Sequence, residues 1–169
     1  PFSSALRMSN IKNYKYDWYW EKDKGTGVGF CKKQPTRKIE NILVFYKKQP
    51  FYNSIGEKLN KPYKHTLSIS NNSESFNISS NNIDNNGNRV YKTYTHKTKN
   101  NLIYFKRESQ NKNSSKHPTQ KPVALMEYLI KTYTNEGETV LDFTMGSFTT
   151  AIACLNTKRD FIGIEQDEK

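Results

Sequence analysis

Apolar positions along this chain follow two rhythms. From Tyr14 to Glu21 they alternate, with Trp18 and Trp20 on one face of an extended segment and Tyr19 on the other. Ile42-Leu43-Val44-Phe45-Tyr46 is a short continuous apolar run, the form taken by a buried strand, ended by Lys47-Lys48 with Pro50, and Leu102-Ile103-Tyr104-Phe105 returns to a strand. After Pro122 the period lengthens. Val123, Met126, Leu129, Ile130 and Tyr133 recur at helical spacing, with Pro122 suited to the first turn and Gly137 to the stop. Thr139-Val140-Leu141, ending in Asp142, predicts a buried parallel strand. A turn at Gly146-Ser147 follows, then a short apolar helix through Ala151, Ile152, Cys154 and Leu155, then a strand Phe161-Ile162-Gly163-Ile164 closed by Glu165.

The middle of the chain breaks both rhythms. Residues 54–100 are rich in Asn and Ser, and 71–88 approach low complexity. Asn85-Asn86-Gly87-Asn88 is a turn signal, and Val90 to His96 predicts one short strand. A surface insert that recognises nothing is one reading of this segment.

Strand, Gly turn, helix, strand and a terminal carboxylate form a recipe for holding a nucleoside-type cofactor at the end of a parallel sheet. Backbone N–H groups at such a turn can meet a ligand's carboxylate or hydroxyl, and the carboxylate at the next strand tip can accept both ribose hydroxyls. Taken alone, the short Gly motif fits a purely structural turn equally well.

HPTQKP at 117–122, LDFTMGSFTT at 141–150 and FIGIE at 161–165 resemble the DNA amino-methyltransferases of the permuted, beta-type arrangement, in which the cofactor half follows the catalytic half. YKYDWYWEK at 14–22, ENILVFYKKQPFYN at 40–53 and LIYFKRES at 102–109 resemble the flanks of the variable segment in phage-like members. The resemblance covers most of the chain outside residues 54–100. It implies an α/β fold: part of a Rossmann-like, S-adenosylmethionine-dependent methyltransferase sheet with an inserted recognition segment. The divisions would be 1–53 (end of the catalytic half), 54–100 (target recognition) and 101–169 (S-adenosylmethionine binding). The implied activity is methyl transfer from S-adenosylmethionine to the exocyclic amine of adenine (N6, ahead of cytosine N4) in double-stranded DNA, within a restriction-modification setting.

Carried over by position, the resemblance gives His117, Thr119, Gln120 and Lys121 to the methionine part of the cofactor. It gives Asp142, Gly146, Ser147 and Thr149 to the methionine and ribose, and Glu165 to the ribose hydroxyls. On residue chemistry alone, His117 is a loop residue and Lys121 a solvated helix-start residue. Arg89, Lys92, His96, Lys97 and Lys99 are the candidates for DNA contact, being cations or hydrogen-bonding groups within the segment that the resemblance gives to target recognition.

Two departures from the family pattern stand out. Its turn reads G-S-G, whereas Phe148 occupies the third place here, where a benzyl group threatens a close approach to the ligand. Its catalytic motif, an Asp, Asn or Ser followed by Pro-Pro and an aromatic, is absent, since no Pro-Pro occurs in the 169 residues. That motif positions a poorly nucleophilic amine and a flipped base. The chain is therefore expected to be a piece cut at both ends, without catalytic residues and inactive alone. A catalytically dead DNA-binding remnant is the alternative, and a dinucleotide-binding Rossmann domain is a weaker one because a full GxGxxG is lacking.

Composition adds a charge asymmetry. The formal net charge is +11. Residues 117–169 hold five Lys/Arg against eight Asp/Glu, and the remaining 22 Lys/Arg lie with eight Asp/Glu in residues 1–116. A basic half suits a polyanion, although A/T-rich coding produces similar lysine enrichment. Hydrophobic residues are 34%, no run approaches a membrane span, and Cys31 and Cys154 match no metal spacing. A reducing cytoplasm is the expected setting, without metal or membrane. Gly25-Thr26-Gly27-Val28-Gly29, set among Lys22, Lys24, Lys32 and Lys33, lacks the GK[ST] of a P-loop. It reads as a mobile loop beside DNA or as a plain hairpin turn.

Overall fold

The computed structural model describes residues 2–66, 91–107 and 120–166. Two compact units result, one formed by 1–53 with 100–169 and the other by 54–99.

In the first unit, helix α1 (Phe2–Ser9) leads into strand β1 (Tyr14–Thr26), which pairs antiparallel with β2 (Arg37–Phe45) and parallel with the short β5 (Leu102–Tyr104). Trp18 and Trp20 are buried while Tyr19 is only half-buried, as the alternation predicted. Helix α2 (Val123–Tyr133) follows, then β6 (Thr139–Asp142), α3 (Thr149–Asn156) and β7 (Asp160–Gly163), with β6 and β7 parallel.

Helix α2 is the element that joins the two sheets. One side brings Leu125, Tyr128, Leu129 and Tyr133 against Trp18, Trp20 and Ile103. Another side packs Ile130, Val123 and Met126 against Ala153, Cys154 and Val140. Leu125 is almost fully buried, which contributes about 2 kcal/mol. The Tyr133 hydroxyl accepts from Trp18 Nε1 at 2.6 Å and lies 2.8 Å from the Tyr16 hydroxyl, so the polar tips of this aromatic cluster are satisfied. Burial raises the pKa of both tyrosines, and they remain neutral donors. Arg159 fastens the ends of both helices, donating to the carbonyls of Thr134 (2.7 Å) and Thr157, where helix dipoles favour a cation.

Several expectations change. Helix α2 stops at Tyr133, with Thr134 in extended conformation as its cap. Gly137 is left to a turn at φ 81°. The stripe omitted Leu125, one of the most buried residues of the helix. In α3, Ile152 and Leu155 point outward (44% and 68% exposed), and the buried side is built from Thr149, Thr150, Ala151, Ala153 and Cys154. Small side chains allow the close packing of α3 on α2, so the large apolar ones are left outside. β6 is not a buried strand: Leu141 is 58% exposed, and Ile162 in β7 is 55%. Val140 packs against the helix cluster, and Leu141 and Ile162, which are register partners, lie on the other face.

The second unit is an antiparallel hairpin of β3 (Ile55–Thr66) and β4 (Tyr91–Thr98), with irregular register between Lys58 and Tyr63. The sequence predicted only the second strand. The expected turn at Asn85–Asn88 lies outside the described residues. Tyr63 and Tyr94 stack across the pair, 5.3 Å between ring centroids.

Candidate functional site

The βαβ unit places a turn at the carboxyl end of β6. Asp142 closes the strand and its carboxylate ties the turn down: Oδ1 accepts from the Thr144 N–H at 3.0 Å and Oδ2 from the Thr150 hydroxyl at 2.5 Å. The strand ladder continues past both strand ends, with Ile164 N–H donating to Asp142 O and Met145 N–H to Ile164 O. Gly146 takes φ 52°, a left-handed conformation that glycine adopts without penalty. Its N–H donates to Glu165 Oε2 at 2.5 Å. Ser147 and Thr149 hydroxyls lie 3.0 Å apart. Met145 packs flat on Gly163, where a Cβ would fall 1.0 Å from its terminal methyl.

A second wall comes from the three-stranded sheet and the start of α2. Glu40 on β2 accepts from Lys22 Nζ at 3.0 Å and from Lys121 Nζ at 3.1 Å. Lys22 is 1% exposed and also donates to the Thr26 hydroxyl. Burial pushes the Glu40 carboxyl up, but the two lysine hydrogen bonds outweigh it and hold the group below its ordinary value. The Lys121 ammonium lies 5.8 Å from the centre of the Trp20 ring, within cation–π reach.

These walls enclose a pocket of about 570 Å³, within the usual range for small-molecule sites. Trp20, Ile42, Leu125, Met126 and Leu129 line its apolar side, and Gln120, Lys121, Asp142, Gly146, Ser147 and Thr149 its polar side. The Gln120 side-chain oxygen is buried with no hydrogen-bond partner among the described residues. It is an acceptor in search of a donor.

The structure thus brings together Gln120, Lys121, Asp142, Gly146, Ser147 and Thr149, which the sequence assigned to one site, and sets Glu165 against the turn. His117 and Thr119 lie outside the described residues. Phe148 does not line the pocket; it caps α3 at φ 60° and is 56% exposed. Sequence reasoning missed Trp20, Glu40 and Thr150. Trp20 sat on the correctly read inner face of β1, but nothing local indicated that Glu40, at a polar strand start, would bridge two lysines from distant segments.

Among the DNA-contact candidates, Arg89 lies outside the described residues. The backbone of Lys92 pairs with His65 in the hairpin. His96 and Lys97 are exposed, and Lys99 is half-buried, which lowers its pKa. β3 and β4 together carry five lysines against one acid, Glu57. Among the described residues no cluster of His, Cys, Asp and Glu suits a metal, and no helix is long and apolar enough to cross a membrane.

A carboxylate-anchored glycine turn between parallel strands, with an acidic residue at the second strand's tip, is the arrangement found at the ligand end of Rossmann-like sheets. Comparison narrows this class. Residues 4–169 match the N6/N4 family described as DNA methylase, and the chain belongs to that family. It is 51% identical over 53 residues to the type II methyltransferase M.BglI of Bacillus subtilis, covering 31% of this chain and 15% of that protein. It is 51% identical over 49 residues to the DNA adenine methyltransferase YhdJ of Escherichia coli K12, covering 29% and 17%. Among solved structures, the M1.HpyAVI–SAM complex superposes with a TM-score of 0.58 at 26% identity over 99% of this chain and 64% of that one. The chain therefore spans only part of the length of these relatives.

Proposed function

We propose that this chain is the cofactor-binding and target-reading part of an enzyme that moves a methyl group from S-adenosylmethionine to the exocyclic amine of adenine, N6 ahead of cytosine N4, in double-stranded DNA. The observation that carries this reading is the convergence of the 120–121 anchor and the 142–149 turn on one pocket of about 570 Å³. The name of YhdJ, a DNA adenine methyltransferase, supports adenine as the target. S-adenosylmethionine would supply an electrophilic methyl group.

The donor set suits that cofactor. Gln120, whose buried side-chain oxygen has no partner among the described residues, would accept from the methionine ammonium. Lys121, Ser147 and Thr149 face the methionine and ribose side, with His117 and Thr119 as further contacts from the anchor. Glu165 is in reach of ribose hydroxyls once it leaves the Gly146 N–H. Trp20 and Leu129 offer apolar surface and exclude water. The lysine-rich hairpin, with His96 and Lys97 exposed, is the DNA-reading segment, and Arg89, Lys92 and Lys99 belong with it. No residue of this chain takes the catalytic Pro-Pro-aromatic role, so the chain alone binds but does not transfer. The cellular site of such an enzyme is the cytoplasm, where the DNA is.

Calorimetric titration with S-adenosylhomocysteine, using NAD as control, tests the reading. Micromolar binding of the first alone is expected. Binding of NAD instead would point to a dinucleotide site, and salt-dependent DNA binding with no cofactor binding would favour a catalytically dead remnant. Tritiated methyl groups entering DNA at a rate normal for such enzymes would refute inactivity of the isolated chain.

A further inference from the structure

The loop that joins β1 to β2 has no part in the pocket. Its base is closed: Thr26 pairs with Arg37, the Thr26 hydroxyl donates to the Arg37 carbonyl at 3.2 Å, and a Cβ on Gly25 would lie 2.6 Å from the Thr36 hydroxyl. The loop is internally built. The Phe30 N–H donates to Gly27 O (3.0 Å), Cys31 to Val28 O (3.1 Å), and Lys33 and Gln34 both to Phe30 O (2.9 and 3.0 Å). A 3-10 turn over Val28–Phe30 forms its tip. This is an ordered hairpin end rather than a slack connection.

Its apolar residues nevertheless face water. Val28 is 66% and Phe30 60% exposed, and neither belongs to a core cluster. The flanking Lys24, Lys32 and Lys33 are exposed, and no acidic residue occurs from 24 to 39. An aromatic and a β-branched side chain held on a firm turn and flanked along the chain by exposed lysines match the design of proteins that push an apolar wedge between base steps while cations hold the phosphates. The same two strands carry Trp20 and Glu40 to the pocket. At about 3.3 Å per residue the loop begins roughly 20 Å beyond Trp20, so the tip can meet DNA without filling the pocket. An enzyme that acts on a base must take it out of the stack, and an inserted side chain lowers that cost.

We propose that Val28 and Phe30 form a wedge that enters the base stack of double-stranded DNA, with Lys24, Lys32 and Lys33 gripping the phosphates on either side. This rests on the DNA-methylase reading above. The partner is duplex DNA rather than protein because the charged residues flanking the tip along the chain are all basic.

Insertion between base pairs unwinds DNA, so the test is topological and needs no knowledge of the recognition sequence. A singly nicked plasmid is sealed by ligase at rising concentrations of the full chain, and topoisomers are resolved on a gel while occupancy is measured separately. The wild-type chain is expected to shift the mean linking number in proportion to protein bound. A Val28→Ser/Phe30→Ser variant, whose substituted side chains touch no core, is expected to melt like the wild type and bind DNA within about threefold, yet lose roughly two-thirds of the shift per bound molecule. Lys32→Ala/Lys33→Ala is expected to reduce the slope of log affinity against log salt by about 2. Wild-type binding with no linking change, or an undiminished shift in the serine variant, overturns the wedge and leaves the DNA reading standing. Failure of the wild type to bind DNA at all overturns both. If the serine variant instead loses self-association with DNA topology untouched, the tip is a contact between copies and the wedge is wrong.

Discussion

Phe148 stands where the family pattern has a small residue, and its backbone is left-handed at φ 60°, ψ 16°. A residue with a Cβ pays about 1–2 kcal/mol for that conformation. The ring returns part of this: it is 56% exposed, so a little under half of a full phenylalanine burial is realised, about 1 kcal/mol. Phe148→Ala removes the packing and keeps the strain, and is expected to cost about 1 kcal/mol. Phe148→Gly loses the same packing and releases the strain, less about 0.5–1 kcal/mol of extra chain entropy in the unfolded state. The expected order of stability is therefore wild type close to glycine, with alanine below both. This inverts the usual ranking of alanine over glycine beside a helix. Urea unfolding resolves it, because 1 kcal/mol moves the midpoint by about 0.3–1 M. An alanine variant as stable as the glycine variant would refute the left-handed assignment. The ring does not line the pocket, so S-adenosylhomocysteine affinity is expected to stay within about threefold in both variants; a tenfold gain on Phe148→Gly would mean that the ring obstructs the ligand.

Two further outcomes follow from the pocket walls. Glu40 is held below its ordinary carboxyl pKa of 4.5. The stability it contributes is present above that value and is lost as pH falls through the lowered one; melting temperature against pH should show a shallower acid limb in Glu40→Gln than in the wild type, and identical limbs would remove Glu40 from the linkage. Gly163→Ala brings a methyl group against the flexible end of the Met145 side chain, which can swing aside; it should cost about 1 kcal/mol or less in urea unfolding, and Met145→Ala in the same chain should recover part of that loss, whereas strictly additive losses would show that the two positions do not touch.

Much of this arrangement was legible in the sequence because it is local. The run from Thr139 to Glu165 carries its own turn signals, and the described turn, helix and strand fall within a residue or two of the reading. The inner face of β1 was legible for the same reason, since alternation is a local property. What escaped depends on distance along the chain. β3 lacks a clean alternation, with Lys58, Lys61 and Lys64 interrupting it, and becomes a strand through its pairing with β4. Glu40 and Lys121 are 81 positions apart, and their contact follows only from α2 lying on β1 and β2. Burial of β6 was overestimated because a run of apolar residues reports hydrophobicity without saying how many faces are covered.

The turn is not bare in the free chain, and this decides where binding energy can come from. The Gly146 N–H already donates to Glu165, so a ligand acceptor placed there exchanges one hydrogen bond for another and gains little. Gln120 is the opposite case. Its buried oxygen has no partner among the described residues, a condition that costs about 1–3 kcal/mol and is relieved by any donor a ligand brings. Strain of this kind converts into affinity when the ligand arrives. Gln120→Met keeps the length and removes the oxygen, so it should stabilise the free chain by about 1 kcal/mol in urea unfolding while weakening S-adenosylhomocysteine about tenfold by calorimetry. The two changes must have opposite signs, because both spring from the same buried acceptor. A variant that loses both stability and affinity would mean that Gln120 serves only the fold, and the ammonium of the cofactor would have to be held elsewhere.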